Sequence, residues 1–155
     1  MVSKGKEEAV IALGVQGVML RDSGDFVGDV ERMTEGRAVD VVADLVGGAL
    51  FGKLLNVLRP ERRYTTAGAI AGPVVQLDLR TMYLKQLQLN GSSQGTRGAF
   101  KRVLDYIQNG TIRPVLAASY PLSKFHDAQT RFMEKRFVGN IVVIPDRHYG
   151  DSVAR

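Results

Sequence analysis

The chain has 155 residues, 45% hydrophobic and 24% charged, with 21 Lys plus Arg against 16 Asp plus Glu and no cysteine. That composition belongs to a globular domain rather than a disordered chain. Without cysteine there is no disulfide framework, thiolate nucleophile, dithiol redox pair or Cys-built zinc site. The net charge of +5 gathers at Arg59, Arg62 and Arg63, at Arg97, Lys101 and Arg102, and at Arg131, Lys135 and Arg136. With no aromatic residues interleaved, these clusters predict solvated faces and no nucleic-acid partner.

The start, MVSKGKEEAVIALG, carries charges and no long apolar run, so neither a signal peptide nor a membrane span is read there and a cytoplasmic location is expected. Residues 5–13 read as a helix with Ala9, Val10 and Leu13 on one face and Gly14 past its end. A short strand at 17–20 follows. From 25 to 35, Phe26, Val30 and Met33 fall at i, i+4 and i+7, with Asp25 placed to cap the start and Gly36 the end. VDVVADLV, residues 39–46, is the β-branched run of a strand covered on both faces. The spacing then predicts a helix over 49–58, stopped by Pro60. Next come a strand at 63–67, a Gly-rich loop at 68–73, a short helix at 79–85 and a strand at 86–90. The loop GSSQGTRG leads into a helix over 98–108 that ends at Asn109-Gly110. A strand at 114–119, a helix capped by Ser123 with Phe125, Ala128 and Phe132 inward, and a strand at 141–144 complete the order. The residues from Pro145 on read as a polar, frayed tail. This alternation predicts an α/β fold with a largely parallel sheet flanked by helices.

In such a sheet, ligands sit beyond the carboxyl ends of the strands. Three Gly-bearing loops occupy that position, at 47–48, 68–72 and 91–98. The first matches the G-x-x-x-x-G-K core of a phosphate loop from Gly47 to Lys53, but Leu54 stands where Mg²⁺ binding needs a hydroxyl, so nucleotide hydrolysis is not the preferred reading. The third satisfies G-x-S-x-G at Gly91 to Gly95, which would make Ser93 a nucleophile with Asp127 and His148 in triad order. His148 falls in the tail, so a flexible turn is preferred and a serine hydrolase stays a lower alternative. His126 and His148, without a local carboxylate pattern, predict no metal site. The carboxylates Asp22, Asp25, Asp40 and Asp44 read as turn, cap or strand-end residues; Asp44 lies beside the expected crevice, and capping the next helix is its expected role.

Taken together, GRAVDVVADLVGG, the Leu-Arg-Pro before a strand ending at Ala67-Gly68, GTIRPV, and YPLSKFHDAQ leading to VGNIVVIP closely resemble the C-terminal half of the medium-chain dehydrogenase/reductases, nearest to their quinone oxidoreductase-like, zinc-independent branch. The resemblance implies a partial Rossmann-like sheet that keeps family strands 3, 4, 5 and 6 and lacks 1 and 2. Residues 1–146 would be a partial dinucleotide-binding domain, with a tail at 147–155. It implies NADP or NAD as cofactor, and contacts from Leu45, Val46, Gly47 and Gly48 on the adenosine side. Gly68, Ala69, Ile70, Ser92 and Ser93 would lie towards the nicotinamide, with Gly139 and Asn140 before the last strand. No catalytic residue is assigned, and the G-x-G-x-x-G pyrophosphate turn is absent from the sequence. The family's Gly-Gly before its fifth strand is replaced by Glu61-Arg62, and its Gly-Lys by Gly139-Asn140. An open sheet edge at 39–46, or the strand at about 86–92, is expected to pair two copies into a dimer. A non-enzymatic assembly or docking module is the alternative from another class.

Overall fold

The computed structural model describes residues 1–21 and 23–153, so the expected turn carboxylate Asp22 lies outside the described residues. The chain forms two compact units, one of Met1 and residues 19–94, the other of residues 2–18 and 95–155. Among the described residues no helix is long and apolar enough to cross a membrane.

The first unit holds a three-stranded parallel sheet in the order β1 (Val39–Asp44), β2 (Leu58–Thr66), β3 (Gln88–Gly91). Before it comes helix α2 (Phe26–Met33), whose cap Asp25 accepts the Gly28 N–H at 3.0 Å, as its sequence requires. Phe26 and Val30 are buried against Val57, whereas Met33, the third member of the expected stripe, is exposed because the helix ends there. A 3₁₀ turn (Gly48–Leu50) leads into α3 (Phe51–Asn56), which seats Phe51 and Leu55 against Val42, Leu58, Tyr64 and Leu87 of the sheet layer. Helix α4 (Leu79–Leu84), capped by Asp78, precedes β3.

Two expectations fail between residues 17 and 60. Residues 17–20 belong to neither sheet, and of them only Leu20 makes an isolated bridge, since an extended run persists only where a ladder partner takes its N–H and C=O groups. The helix over 49–58 stops at Asn56, and Leu58 and Pro60 already belong to β2. Proline is tolerated because the ladder is broken there: Val39 pairs with Leu58 but Val41 with Arg63, so four residues of β2 bulge out. The bulge is held by Asp40, which takes both Arg59 and Arg62, and by the Glu61 N–H on the Lys85 carbonyl at 2.7 Å. The Lys85 ammonium in turn donates to the carbonyls of Asn56 and Leu58, closing the end of α3.

Glu61 pays for this shape with a φ of 64°, a conformation suited to glycine. Glu61→Gly is therefore expected to stabilise the chain by about 0.5–1 kcal/mol, the released strain exceeding glycine's greater freedom in the unfolded state. A urea midpoint that falls instead would show that the bulge is unstrained.

The second unit contains α1 (Glu7–Ile11), α5 (Arg97–Gln108), α6 (Phe125–Glu134), α7 (Asp146–Val153) and a parallel pair, β4 (Leu116–Pro121) and β5 (Asn140–Ile144). Lys6 ties α1 to this unit through the Phe137 carbonyl at 2.8 Å. Helix α5 is capped by Thr96 and keeps its predicted limits to within a residue. Of the face expected inward on α6 only Ala128 is buried, while Phe125 and Phe132 are about half exposed. Ser123 does not cap α6. Its hydroxyl donates to Asp146 at 2.5 Å and pins the start of α7, where a frayed tail was expected. The Tyr149 hydroxyl fixes α7 further by donating to the Ser119 carbonyl at 3.2 Å.

Candidate functional site

The three strands of the first unit run parallel, so their carboxyl ends release their loops on one side. The loops after β1 and β2 are joined backbone to backbone. Ala67 N–H donates to Asp44 O, Ala71 N–H to Val46 O at 2.8 Å and Gly48 N–H to Gly72 O at 3.1 Å. Close approach depends on glycine. A Cβ on Gly68 would lie 2.8 Å from the Leu45 carbonyl oxygen, and one on Gly48 2.8 Å from that of Ala71. Ser92, after β3, joins the same end by donating its N–H to Thr66 O at 2.8 Å.

Beneath the first loop lies Asp44, only 5% exposed. Its Oδ1 accepts the Val46 and Gly47 N–H groups at 2.8 and 3.0 Å, and its Oδ2 accepts the Tyr64 hydroxyl at 2.7 Å. Asp44 thus folds its own loop rather than capping the next helix, whose start has no side-chain cap. Burial works against the carboxylate, but the bonds from Tyr64, Val46 and Gly47 outweigh it and hold Asp44 below the usual carboxylate range. Burial first, and then the bond to Asp44, push the Tyr64 hydroxyl up to about 12. Sequence reasoning missed Tyr64; the tyrosine two residues before the end of a strand adjacent to that of Asp44 was the available signal.

The phosphate-loop resemblance dissolves in this geometry. Gly52 and Lys53 lie in α3, and the Val46 and Gly47 N–H groups serve Asp44. For the hydrolase alternative, Ser93 has no histidine in its unit, since His126 and His148 both belong to the second.

The first unit therefore brings together Leu45, Val46, Gly47, Gly48, Gly68, Ala69, Ile70, Ser92 and Ser93 at one end of its sheet. Gly139 and Asn140 belong to the second unit, where the chain turns into β5. Gly139 has φ 106° and passes so near Val115 that a Cβ would meet its carbonyl oxygen at 2.5 Å.

Residues 13–143 match the family profile of the zinc-binding dehydrogenases. The chain belongs to that family. Among curated relatives, the human synaptic vesicle membrane protein VAT-1 homolog is 27% identical over 92% of this chain and 42% of its own length. Quinone oxidoreductase-like protein 2 of Rattus norvegicus is 24% identical over 84% of this chain and 40% of its own. A solved chain of Sinorhizobium meliloti 1021, provisionally named an alcohol dehydrogenase, superposes with a TM-score of 0.86 at 61% identity, covering 94% of this chain and 40% of that one. A solved NAD-dependent alcohol dehydrogenase gives 0.79 at 25% identity, covering 91% and 41%. The chain thus spans about two fifths of the length of the relatives it matches. The quinone oxidoreductase-like resemblance and the Rossmann-like α/β fold hold.

Zinc does not fit. There is no cysteine, and among the described residues no three of His, Asp or Glu converge. A nicotinamide dinucleotide fits at one end. Among the described residues the N–H groups of Gly68, Ala69 and Ile70 donate to no acceptor, and Ile70 is 89% exposed. Three adjacent free donors, at the same sheet end as Ser92 and Ser93, suit a carboxamide and sugar hydroxyls. The stretches 44–50, 66–78 and 91–96 carry no Lys or Arg, and their charged residues are the carboxylates Asp44 and Asp78, so nothing in these loops neutralises a diphosphate.

Proposed function

We propose that this chain provides cofactor-binding elements of an NAD(P)H-dependent oxidoreductase of the quinone or enone reductase type, zinc-independent and cytoplasmic, and that the 155 residues alone do not catalyse turnover. The observation carrying the reading is the row of unclaimed N–H groups at Gly68, Ala69 and Ile70, on the carboxyl end of a parallel sheet from a dehydrogenase family. The cofactor, when bound, supplies hydride to a conjugated carbonyl. The residues of the first unit bind and orient: Gly68, Ala69, Ile70, Ser92 and Ser93 at the nicotinamide end, and Leu45, Val46, Gly47 and Gly48 at the adenosine end. The missing cationic or glycine-turn partner for the diphosphate supports the silence of the isolated chain.

Mixing the purified chain with NADPH and a benzoquinone is expected to give no loss of absorbance at the nicotinamide band; measurable oxidation would overturn the silence. Saturation-transfer NMR with NADPH should show the nicotinamide protons touching the protein. Ile70→Asp, at a side chain the fold does not use, is expected to weaken that contact about fivefold or more by placing a carboxylate against an anionic cofactor, with the melting temperature unchanged. An unaffected signal would remove this rim from the site.

A second reading, an assembly module, is favoured by β1. Among the described residues it pairs only with β2, and Val41 on it and Leu45 just after it are 55% and 64% exposed beside an apolar groove with Met19, Phe26 and Leu54. A homodimer through this edge, or through β3, should make the measured mass rise with concentration. A constant monomer mass would exclude it.

A further inference from the structure

We propose that Asp44 and Tyr64 form a latch that positions the loops after β1 and β2, making both positioning residues for the cofactor rim; the cofactor part of this rests on the function proposed above. Each oxygen of the carboxylate has its own task. Oδ1 draws in the N–H groups of Val46 and Gly47, and Oδ2 is held from β2 by the Tyr64 hydroxyl. The loop cannot shift outward without breaking these bonds, because their acceptor is anchored from the neighbouring strand.

The anchor is itself rigid. Tyr64 is 3% exposed, and its ring meets Phe51 edge to face, with centroids 5.2 Å apart. Phe51 opens α3, directly after the loop that Asp44 folds. The latch therefore fixes the loop at its start through the carboxylate and just beyond its end through the ring.

The second loop follows the first. Ala71 donates to Val46 O and Gly48 to Gly72 O, so the stretch bearing the free donors Gly68, Ala69 and Ile70 takes its position from the backbone that Asp44 sets. Neither side chain is exposed enough to touch a ligand. Their effect on binding passes through the loops.

Tyr64→Phe tests this, since it removes one hydroxyl and keeps the ring. Amide hydrogen exchange of the ligand-free chain is expected to quicken about tenfold at Val46, Gly47, Gly48 and Ala71, while the amides of the β1 and β2 ladder change little. Asp44→Asn, which keeps one acceptor oxygen, should show the same pattern. Uniform quickening at every amide would reduce the pair to a general stabiliser and overturn the proposal, as would unchanged loop amides. NADPH-induced shifts at Gly68 to Ile70, read on the same samples, should weaken when the loop loosens. Loosened loops with no NADPH response in any variant would sustain the latch and overturn only the cofactor reading.

Discussion

Asp44→Ala is expected to lower the unfolding free energy by about 3 kcal/mol, because it leaves the Tyr64 hydroxyl and the Val46 and Gly47 N–H groups facing a buried gap. Chemical denaturation measures the loss. The Tyr64 hydroxyl should then titrate below its present value of about 12 yet stay above 10, since burial, its largest cause, remains while the bond and charge of Asp44 go. Absorbance titration of the phenolate reads this directly.

The same pair sets both ends of the pH profile in the unaltered chain. Asp44 has a folded pKa lowered from 3.8, so its stabilisation is fully present above that value and is lost as pH falls through the lower folded one. Tyr64 has a folded pKa raised from 10.0 to about 12, so its share is complete below pH 10 and is lost as pH climbs towards 12. That share amounts to about 2–3 kcal/mol. An alkaline unfolding limb identical in Tyr64→Phe and the parent chain would contradict it.

Gly47→Ala should cost about as much, for a different reason. Gly47 has φ 66° and ψ −150°, a region that only glycine enters without strain. A Cβ there would also press on the Gly72 carbonyl oxygen at 2.9 Å and the Ala69 Cα at 3.2 Å. Strain and collision with backbone together predict a loss of about 3 kcal/mol. Gly52→Ala is the control, five residues along in α3, where a Cβ meets nothing within 4 Å. It is expected to stabilise by about 0.5–1 kcal/mol through helix propensity. Equal effects from the two substitutions would mean that the geometry of the loop has been misjudged.

These opposite signs show how far sequence carries. Gly47 and Gly52 of GGALFGK look alike as letters, in a motif that reads as a phosphate loop. The backbone angle and the neighbour across the gap distinguish them, and both are set by residues 69–72, more than 20 positions away in the chain.

Local pattern alone determined the start of β1, the cap of α2 by Asp25, the limits of α5 and the order of alternating elements, because caps, periodicity and glycine stops act within a few residues; the family followed from the resemblance of whole motifs. What it could not determine were the events that need a partner across space. The fate of residues 17–20 depended on a ladder, and that of Pro60 on a bulge held by Asp40 and Lys85. Place in the sequence predicts Ser123 as a cap, yet Asp146, 23 residues on, takes its hydroxyl. Asp44 was singled out by its position at a strand end, but its occupation was decided by Tyr64 on the next strand, because a buried carboxylate takes the donors that the fold brings to it.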